Sequence, residues 1–353
     1  MEGLHYFTDT GEVGSAHISN VPKRNTVYTS LGANANITML ESNTLRGKFR
    51  IELSMMLPAA ATIDGNDRTR EMKELSISYI LTLEKDSRYL KVHTKLHNEH
   101  RDHKLTVNFP TGVANVDFAA CESAWDVAKR TIRWRDHKDN YEAFVCCQPM
   151  QNFLDVSDGE VGCALLAKGR REYEVCDDNR RTIKLTLLRT HRAYMTANSS
   201  MNVEELDKYT GQHSFGTLEY DYAIYPHSGD WQAADAMAAA YAFKVPVKAA
   251  QGVPLKGGLP VNGSLLKISN EKQIMTSALK LAENGKDLVL RVWNIGGETL
   301  PLTVETLLPV TGVQHVRLDE TVLESLPFGN GKFSAELGPH KIETFLLRLG
   351  EQL

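Results

Sequence analysis

Apolar and polar residues alternate along two neighbouring stretches of the chain, residues 74–84 and 88–97. A period of two places the apolar side chains on one face of a β-strand and the polar side chains on the other. The polar turn Glu84-Lys85-Asp86-Ser87-Arg88 joins the stretches, which predicts consecutive strands of one sheet. Such strands lie half buried, and we expect their core-facing residues to be Leu75, Ile77, Tyr79, Leu90, Val92, Thr94 and Leu96.

Similar short apolar runs, bounded by turn-forming residues, predict that most of the chain forms strands. Before residue 228 we expect further strands at 47–56, 104–109, 142–147, 161–167, 183–189 and 217–225. After residue 263 we expect strands at 264–268, 275–281, 287–294, 300–308, 313–317 and 341–348. The predicted fold class is therefore mainly β.

One helix is predicted over 230–243, because this segment is rich in alanine. Ser228 or Asp230 can cap its start, and Pro246 follows its end. Residues 245–263 are rich in Pro, Gly and Val and are expected to form a linker. This pattern predicts a β-domain over 1–244, a linker over 245–263 and a small β-sandwich over 264–353.

Charge and composition exclude several classes of protein. The 40 basic and 44 acidic side chains give a formal net charge of −4, which argues against a nucleic-acid partner because phosphate binding needs a concentrated basic face. No apolar run approaches the roughly 20 residues that cross a bilayer, and the first residues do not resemble a signal peptide. Five cysteines without CxxC spacing are expected to be reduced thiols in a cytoplasmic protein.

Four histidines lie close together in the sequence: His93, His97, His100 and His103. A zinc site needs three or four ligands that converge on one point and are supported by further hydrogen bonds. The four residues share neither a strand face nor a helix face in the predicted structure. We therefore expect a solvated turn, with His103 bonded locally, and no metal site.

An acidic, glycine-containing run near the start of the chain is the best candidate for a ligand-facing loop. Asp9 and Glu12 lie in Asp9-Thr10-Gly11-Glu12-Val13-Gly14. Glycine lets the backbone bend and approach a ligand closely, and a carboxylate can accept hydrogen bonds from hydroxyl groups. A turn-forming Asp and a surface Glu would explain the same residues without a ligand. Trp134, in a long polar connection, is a candidate platform for a sugar ring.

Several segments in a fixed order resemble the C-terminal half of glycoside hydrolase family 38, the α-mannosidases, in the bacterial branch that includes mannosylglycerate hydrolases. No single motif is decisive, but their order over most of the chain makes the match specific. The matching segments are Asp9 to Gly14, Asp102 to Val107, Phe109 to Gly112, Gly159 to Leu166, Glu172 to Val175, Leu185 to Thr190, Tyr222 to His227, Leu290 to Asn294 and Gly338-Pro339.

The resemblance implies a large galactose-mutarotase-like β-supersandwich followed by a small sandwich. It also implies a retaining mechanism, in which one carboxylate forms a glycosyl-enzyme intermediate and a second carboxyl acts as acid and then as base. In the family, zinc and both catalytic Asp residues belong to an N-terminal domain, so this chain would hold no catalytic residue and no metal ligand. Its expected partners are that domain and a mannoside substrate.

Two departures from the family pattern affect the expected substrate contacts. The family has a Tyr that touches the sugar from the loop opening this domain, and His17 stands at the matching position. Asp9, Glu12 and His17 are therefore the candidate substrate-positioning residues. The segment Met195 to Ser200 lacks the Arg that many relatives use, and Leu218 replaces a usual His, so no substrate Arg is assigned.

Two other functions are compatible with the sequence. The chain would act as a non-catalytic carbohydrate-binding or scaffolding β-module if it bound sugar by itself. It would act as a free-standing aldose mutarotase or epimerase if a His, with His93 as the candidate, faced a carboxylate across a sugar ring on one sheet face. A homo-oligomer also stays open.

Overall fold

A computed structural model describes residues 5–133, 146–192, 210–253 and 261–350. Strands account for most of this part of the chain, as the sequence predicts. The strands of the first two thirds are β1 (Tyr6–Gly11), β2 (Tyr28–Thr29), β3 (Ala35–Ser42), β4 (Arg46–Pro58), β5 (Met72–Glu84), β6 (Leu90–Asn98), β7 (His103–Phe109), β8 (Phe118–Ser123), β9 (Asp126–Thr131), β10 (Gln148–Pro149), β11 (Phe153–Ser157), β12 (Val161–Lys168), β13 (Glu172–Val175), β14 (Ile183–Arg189) and β15 (Gly216–Ser228).

A short 3-10 turn (Gly211–His213) precedes β15, and the helix α1 (Ala236–Lys244) follows it. The remaining strands are β16 (Leu266–Ile268), β17 (Ile274–Leu281), β18 (Leu288–Asn294), β19 (Leu300–Thr306), β20 (Val310–Val316), β21 (Val322–Leu326), β22 (Lys332–Leu337) and β23 (Ile342–Leu349). No helix in the described residues has the length and apolar character needed to cross a membrane.

Two large antiparallel sheets form the first sandwich. One has the strand order β10-β13-β14-β7-β1-β2, and the other has the order β3-β4-β5-β6-β15-β12-β11-β8-β9. The alternation predicted for β5 and β6 is confirmed, since Leu75, Ile77 and Leu96 are almost completely buried. The opposite face of these strands is polar and open to solvent.

The second sandwich pairs a three-stranded sheet, β16-β19-β22, with a five-stranded sheet, β17-β18-β23-β20-β21. The apolar cluster in its core includes Leu302, Phe333 and Phe345. The chain divides into two compact units. The first comprises Met1–Glu122 and Ala128–Pro246, and the second comprises Ser123–Val127 and Val247–Leu353.

The helix begins later than the sequence predicts. Asp230 caps a turn, where its Oδ1 accepts the backbone N–H groups of Gln232 and Ala233 at 3.1 and 2.9 Å. Asp235 then adopts a positive φ of 52°, which ends that turn, and regular helix begins at Ala236. The predicted platform Trp134, most of the predicted strand 142–147 and the segment 195–200 lie outside the described residues.

Candidate functional site

The three candidate site residues lie on β1 and in the loop that follows it, with Asp9 on the strand and Glu12 and His17 in the loop between β1 and β2. Strand β1 pairs with β7 along its whole length, and its side chains alternate between half-buried and fully buried positions. Phe7 and Asp9 therefore share the inward face. The chain leaves β1 at Gly11, where an added Cβ would lie 2.7 Å from the ring of Pro22, so close packing requires glycine.

Asp9 is fully buried and is held between two cationic groups. Its Oδ1 lies 2.5 Å from Nη2 of Arg68, and its Oδ2 lies 2.6 Å from Nδ1 of His103. The Arg68 guanidinium also stacks over the ring of Tyr28, 5.2 Å from its centroid. A buried carboxylate needs such compensation because its transfer from water is otherwise very costly.

The hydrogen bonds around His103 indicate an imidazolium. Asn98 Oδ1 accepts the backbone N–H of His100 at 3.0 Å, and its Nδ2 donates to the carbonyl of His213 at 2.8 Å, which fixes the orientation of the amide. Nε2 of His103 lies 3.1 Å from the same Oδ1 and must donate to it. Since Nδ1 faces Asp9, both ring nitrogens carry protons. Burial and the charge of His103 lower the pKa of the neighbouring His100.

Glu12 organises the loop that follows. It is also fully buried, and its Oε1 accepts the backbone N–H groups of Gly14 and Asn20 at 2.8 and 2.9 Å. Its Oε2 accepts the hydroxyl of Ser19 at 2.5 Å. An added Cβ at Gly14 would lie 2.1 Å from the carbonyl oxygen of Ile18, so the loop closes tightly on itself. The carboxylate of Glu12 is therefore the centre around which the loop Gly11–Asn20 folds.

Arg189, at the end of β14, clamps the same loop from the other side. Its two terminal nitrogens donate to the carbonyls of Ser15 and Ala16 at 2.9 and 2.8 Å, and Nη1 lies 3.6 Å from Oε2 of Glu12. The clamped segment turns His17 outward, where its side chain is exposed. The structure thus separates the three candidates, since Asp9 and Glu12 are occupied by groups of this chain and His17 is free to meet a ligand.

The expectation of a solvated turn around His103 is wrong. Both His100 and His103 are completely buried, and His103 opens strand β7 rather than lying in a turn. Its bond to Asn98 is local, but its main partner, Asp9, is 94 positions away. Sequence reasoning also missed Arg68 and Arg189. No spacing links these residues to the loop, because only the sheet topology brings them there.

A second feature of the first unit is an open groove on the polar face of the nine-stranded sheet. The groove has a volume of about 790 Å³. Its lining includes serine and charged side chains from β4, β5 and β6, namely Ser54, Ser76, Ser78, Glu52, Glu74 and Lys95. His93 lies on the same sheet face, with Nδ1 2.8 Å from Asp221 and Nε2 4.0 Å from Glu219.

Zinc, the metal implied by the resemblance, does not fit the residues described. Within 5–133, 146–192, 210–253 and 261–350, no three His, Cys, Asp or Glu side chains are placed to hold a metal ion. The ring nitrogens of the fully buried His103 are engaged by Asp9 and Asn98. No step of a reaction is therefore assigned to a metal held by this part of the chain.

This chain has two β-sandwiches and a folded acidic loop at the start of the first sandwich. Comparison with known families identifies the class of protein to which it belongs. The profile described as "Glycosyl hydrolases family 38 C-terminal domain" matches residues 2–193, and "Glycosyl hydrolases family 38 C-terminal beta sandwich domain" matches residues 273–345. The chain belongs to glycosyl hydrolase family 38 and corresponds to the C-terminal part of its enzymes.

Individual relatives agree with this assignment. A protein of Halalkalibacterium halodurans named as a mannosylglycerate hydrolase is 26% identical over 355 residues, which cover 97% of this chain and 38% of the relative. Alpha-mannosidase 2C1 of Mus musculus is 26% identical over 273 residues, 74% of this chain and 23% of that protein. The chain therefore spans less than two fifths of the length of these relatives.

Solved structures agree on the fold. An alpha-mannosidase from Enterococcus faecalis V583 superposes with a TM-score of 0.82 at 24% identity, over 98% of this chain and 38% of that structure. A second family 38 protein from Enterococcus faecalis gives a TM-score of 0.80 at 24% identity. The predicted fold class, a large supersandwich followed by a small sandwich, is confirmed.

Proposed function

We propose that this chain forms one wall of the substrate pocket of a retaining, zinc-dependent α-mannosidase. The zinc and both catalytic carboxylates come from an N-terminal catalytic domain outside this chain, which packs against it. The loop Gly11–Asn20 reaches towards that pocket and offers His17 to a sugar hydroxyl. Names of the relatives, which refer to mannosidase and mannosylglycerate hydrolase activity, support the substrate class.

The folded loop is the observation that carries this proposal. The buried carboxylate of Glu12 and the partly buried guanidinium of Arg189 fix five loop residues, four through backbone atoms and Ser19 through its hydroxyl, yet they leave the side chain of His17 exposed. A loop that is fixed in this way loses more conformational entropy than an ordinary surface turn does. A rigid loop is useful where a side chain has to meet a ligand in one geometry, because positioning contributes strongly to rate.

Asp9 lies on β1, which leads into the loop, and supports the loop rather than contacting substrate. Its carboxylate is closed off by Arg68 and His103, and Glu12 N–H donates to the carbonyl of Asp102 at 2.8 Å, next to His103. We assign Asp9 and Glu12 as positioning residues and His17 as the substrate contact.

Residues 1–244 and 264–353 would act as separate domains joined at 245–263, which the division of the chain near Pro246 supports.

Two assays test the proposal. The isolated chain should release no nitrophenol from nitrophenyl α-mannoside, with or without added zinc, because it holds no catalytic carboxylate pair. In the whole enzyme, His17→Ala should raise KM by about tenfold, the loss of one hydrogen bond to substrate. His340→Asn is the matched control, since His340 is exposed, lies in the second unit and has a positive φ that asparagine tolerates.

Zinc-dependent hydrolysis by the isolated chain would contradict the proposed division of labour. Unchanged KM and kcat for His17→Ala would contradict the proposed contact while leaving the division intact.

A carbohydrate-binding module is the second candidate, and the polar groove favours it. Hydroxyl, carboxylate and ammonium groups on one sheet face suit a polyhydroxylated ligand. Calorimetry of the isolated chain with mannose and mannobiose separates the candidates. Ser76→Trp fills the groove. Sugar binding that is lost in this variant would favour the carbohydrate-binding function, whereas no binding by the wild-type chain would argue against it.

A further inference from the structure

A short segment at the end of β14 runs beside the loop Gly11–Asn20 and contacts it at two points. The side chain of Arg189 donates to two loop carbonyls. The backbone N–H of Arg192 donates to a third, the carbonyl of Gly14, at 3.1 Å. The side chain of Arg192 also donates to the carbonyl of Thr62, in the connection between β4 and β5. The segment is therefore fixed against the loop at both of its ends.

His191 is the residue of this segment that is left without a partner. Its neighbour Thr190 is completely buried, and the hydroxyl of Thr190 accepts the backbone N–H of His103 at 2.8 Å. Because successive side chains along a strand point to opposite sides, His191 points away from the core, as Arg189 does. Its side chain is partly exposed, and no residue that the structure describes forms a hydrogen bond with its imidazole. The imidazole therefore lies beside the loop residues that precede His17.

The surroundings of His191 favour the neutral form of its imidazole. Partial burial and the positive charge of Arg189 lower the pKa of His191, and the negative charge of Glu12 opposes this shift only in part. A neutral imidazole has one N–H donor and one acceptor nitrogen. A sugar hydroxyl also donates and accepts, so the neutral ring can bond it in either direction, whereas an imidazolium could only donate.

We infer that His191 is a second substrate contact, which hydrogen-bonds a different hydroxyl of the sugar from the one that His17 meets. The inference rests on the proposed function, which places the sugar beside the loop. Arg189 and Arg192 tie together the two segments that carry these histidines, so the separation of the imidazoles is set before substrate binds. Two fixed contacts hold a sugar ring in one orientation, and His191 should therefore discriminate against mannosides that lack the hydroxyl it meets.

The experiment measures kcat/KM of the whole enzyme for nitrophenyl α-mannoside and for a set of derivatives that each lack one hydroxyl. His191→Phe keeps a ring of similar shape and removes both nitrogens, so it should lower kcat/KM for the parent mannoside about tenfold. For one deoxy derivative the wild type and His191→Phe should have the same kcat/KM, because the hydroxyl that His191 contacts is already missing. For His17→Ala the corresponding derivative should be a different one.

Three controls separate a substrate contact from a structural role. His191→Gln keeps a hydrogen-bonding group and should recover part of the activity that His191→Phe loses. His340→Asn, at an exposed histidine of the second unit, should match the wild type for every mannoside. Hydrogen exchange at the backbone amides of Gly14 and Asn20 should keep its wild-type rate in His191→Phe, because the loop contacts of Arg189 and Glu12 remain.

Three results would overturn the inference. One is an unchanged kcat/KM of His191→Phe for the parent mannoside. Another is an equal loss for every deoxy derivative, since His191 would then contact no particular hydroxyl. The third is faster exchange at Gly14 in His191→Phe, which would make His191 a support of the loop. In each case the proposed function stands if His17→Ala still raises KM, whereas a whole enzyme that does not hydrolyse the parent mannoside would overturn both proposals.

Discussion

The two sandwiches share an architecture but differ in what they bury. Among the described residues, the second unit buries four polar side chains, Asp287, Asn294, Thr306 and Thr344, and of these only Asp287 is ionisable. The first unit buries several, including Asp9, Glu12, Arg68, His103, Asp155 and Arg181. Buried charges are poor contributors to net stability, although they fix geometry when fully paired. Four of them, Asp9, Glu12, Arg68 and His103, form contacts in or next to the loop Gly11–Asn20, which points to a positional requirement there that the second unit lacks.

Removing Asp9 should give the largest effect on stability. Asp9→Asn leaves Arg68 and His103 buried side by side without a counter-charge, and we expect the first unit to lose about 3 to 5 kcal/mol. Urea unfolding followed by circular dichroism measures the loss. Asp221→Asn is the control, since Asp221 also pairs with a histidine but is exposed, and its loss should cost at most about 1 kcal/mol. Equal losses of unfolding free energy in the two variants would contradict the expectation that the buried pair stabilises the first unit more than the exposed pair does.

An apolar truncation should be the damaging change in the second unit. Leu302→Ala removes a fully buried side chain between β19 and the facing sheet, and we expect a loss of about 2 to 5 kcal/mol. Leu279→Ala, in the exposed edge strand β17, should cost far less. Thermal unfolding of both variants tests this, and a tolerant response at Leu302 would mean that the small sandwich does not depend on its apolar core.

Glu12→Gln should loosen the loop while leaving the sandwich folded. The amide keeps one acceptor oxygen but loses the charge that faces Arg189, and we expect a cost of about 1 to 3 kcal/mol. The clearest readout is hydrogen exchange, in which the backbone amides of Gly14 and Asn20 should exchange faster. Ser19→Ala removes one hydroxyl contact and should produce a smaller change at the same amides. Unchanged exchange in Glu12→Gln would mean that the carboxylate does not hold the loop.

The smallest predicted effect is a difference in stability between two pH values, and it concerns the buried pair His227–Asp155. Burial lowers the pKa of His227, but the hydrogen bond and charge of Asp155, 2.8 Å away, raise it further than burial lowers it. A raised pKa gives stability that is fully present below the unfolded value and lost as pH rises through the folded value. Asp155→Asn should therefore cost more at about pH 6 than at about pH 9. A cost that grows with pH would have the wrong sign.

Sequence reasoning recovered the strands better than the site. Alternation alone identified β5 and β6, because Leu75, Ile77 and Leu96 repeat with the period of a strand that is buried on one side. The order of short motifs then indicated the family and the supersandwich. The helix start was misplaced because the positive φ of Asp235 has no signature in the sequence.

The long-range ionic partners of Asp9 could not be predicted from the sequence. Arg68 and His103 lie 59 and 94 positions from Asp9, and nothing in their local context marks them as its partners. His103 follows a run of charged residues that indicates a solvated turn. Burial of His103 depends on β1 pairing with β7, a contact that only the sheet topology supplies. The acidic loop was found from Asp9 and Glu12, but its clamp, Arg189, was not.

The central claim is that this chain contributes a preformed wall to a sugar-binding pocket. Hydrogen exchange of the loop Gly11–Asn20 in the whole enzyme tests this claim most directly. Backbone amides of residues 15–20 should exchange more slowly when mannose is bound, while those of β21 in the second unit should not change. Slower exchange in the loop that disappears in His17→Ala is the predicted result. Loop amides that exchange at the same rate with and without mannose would contradict the account.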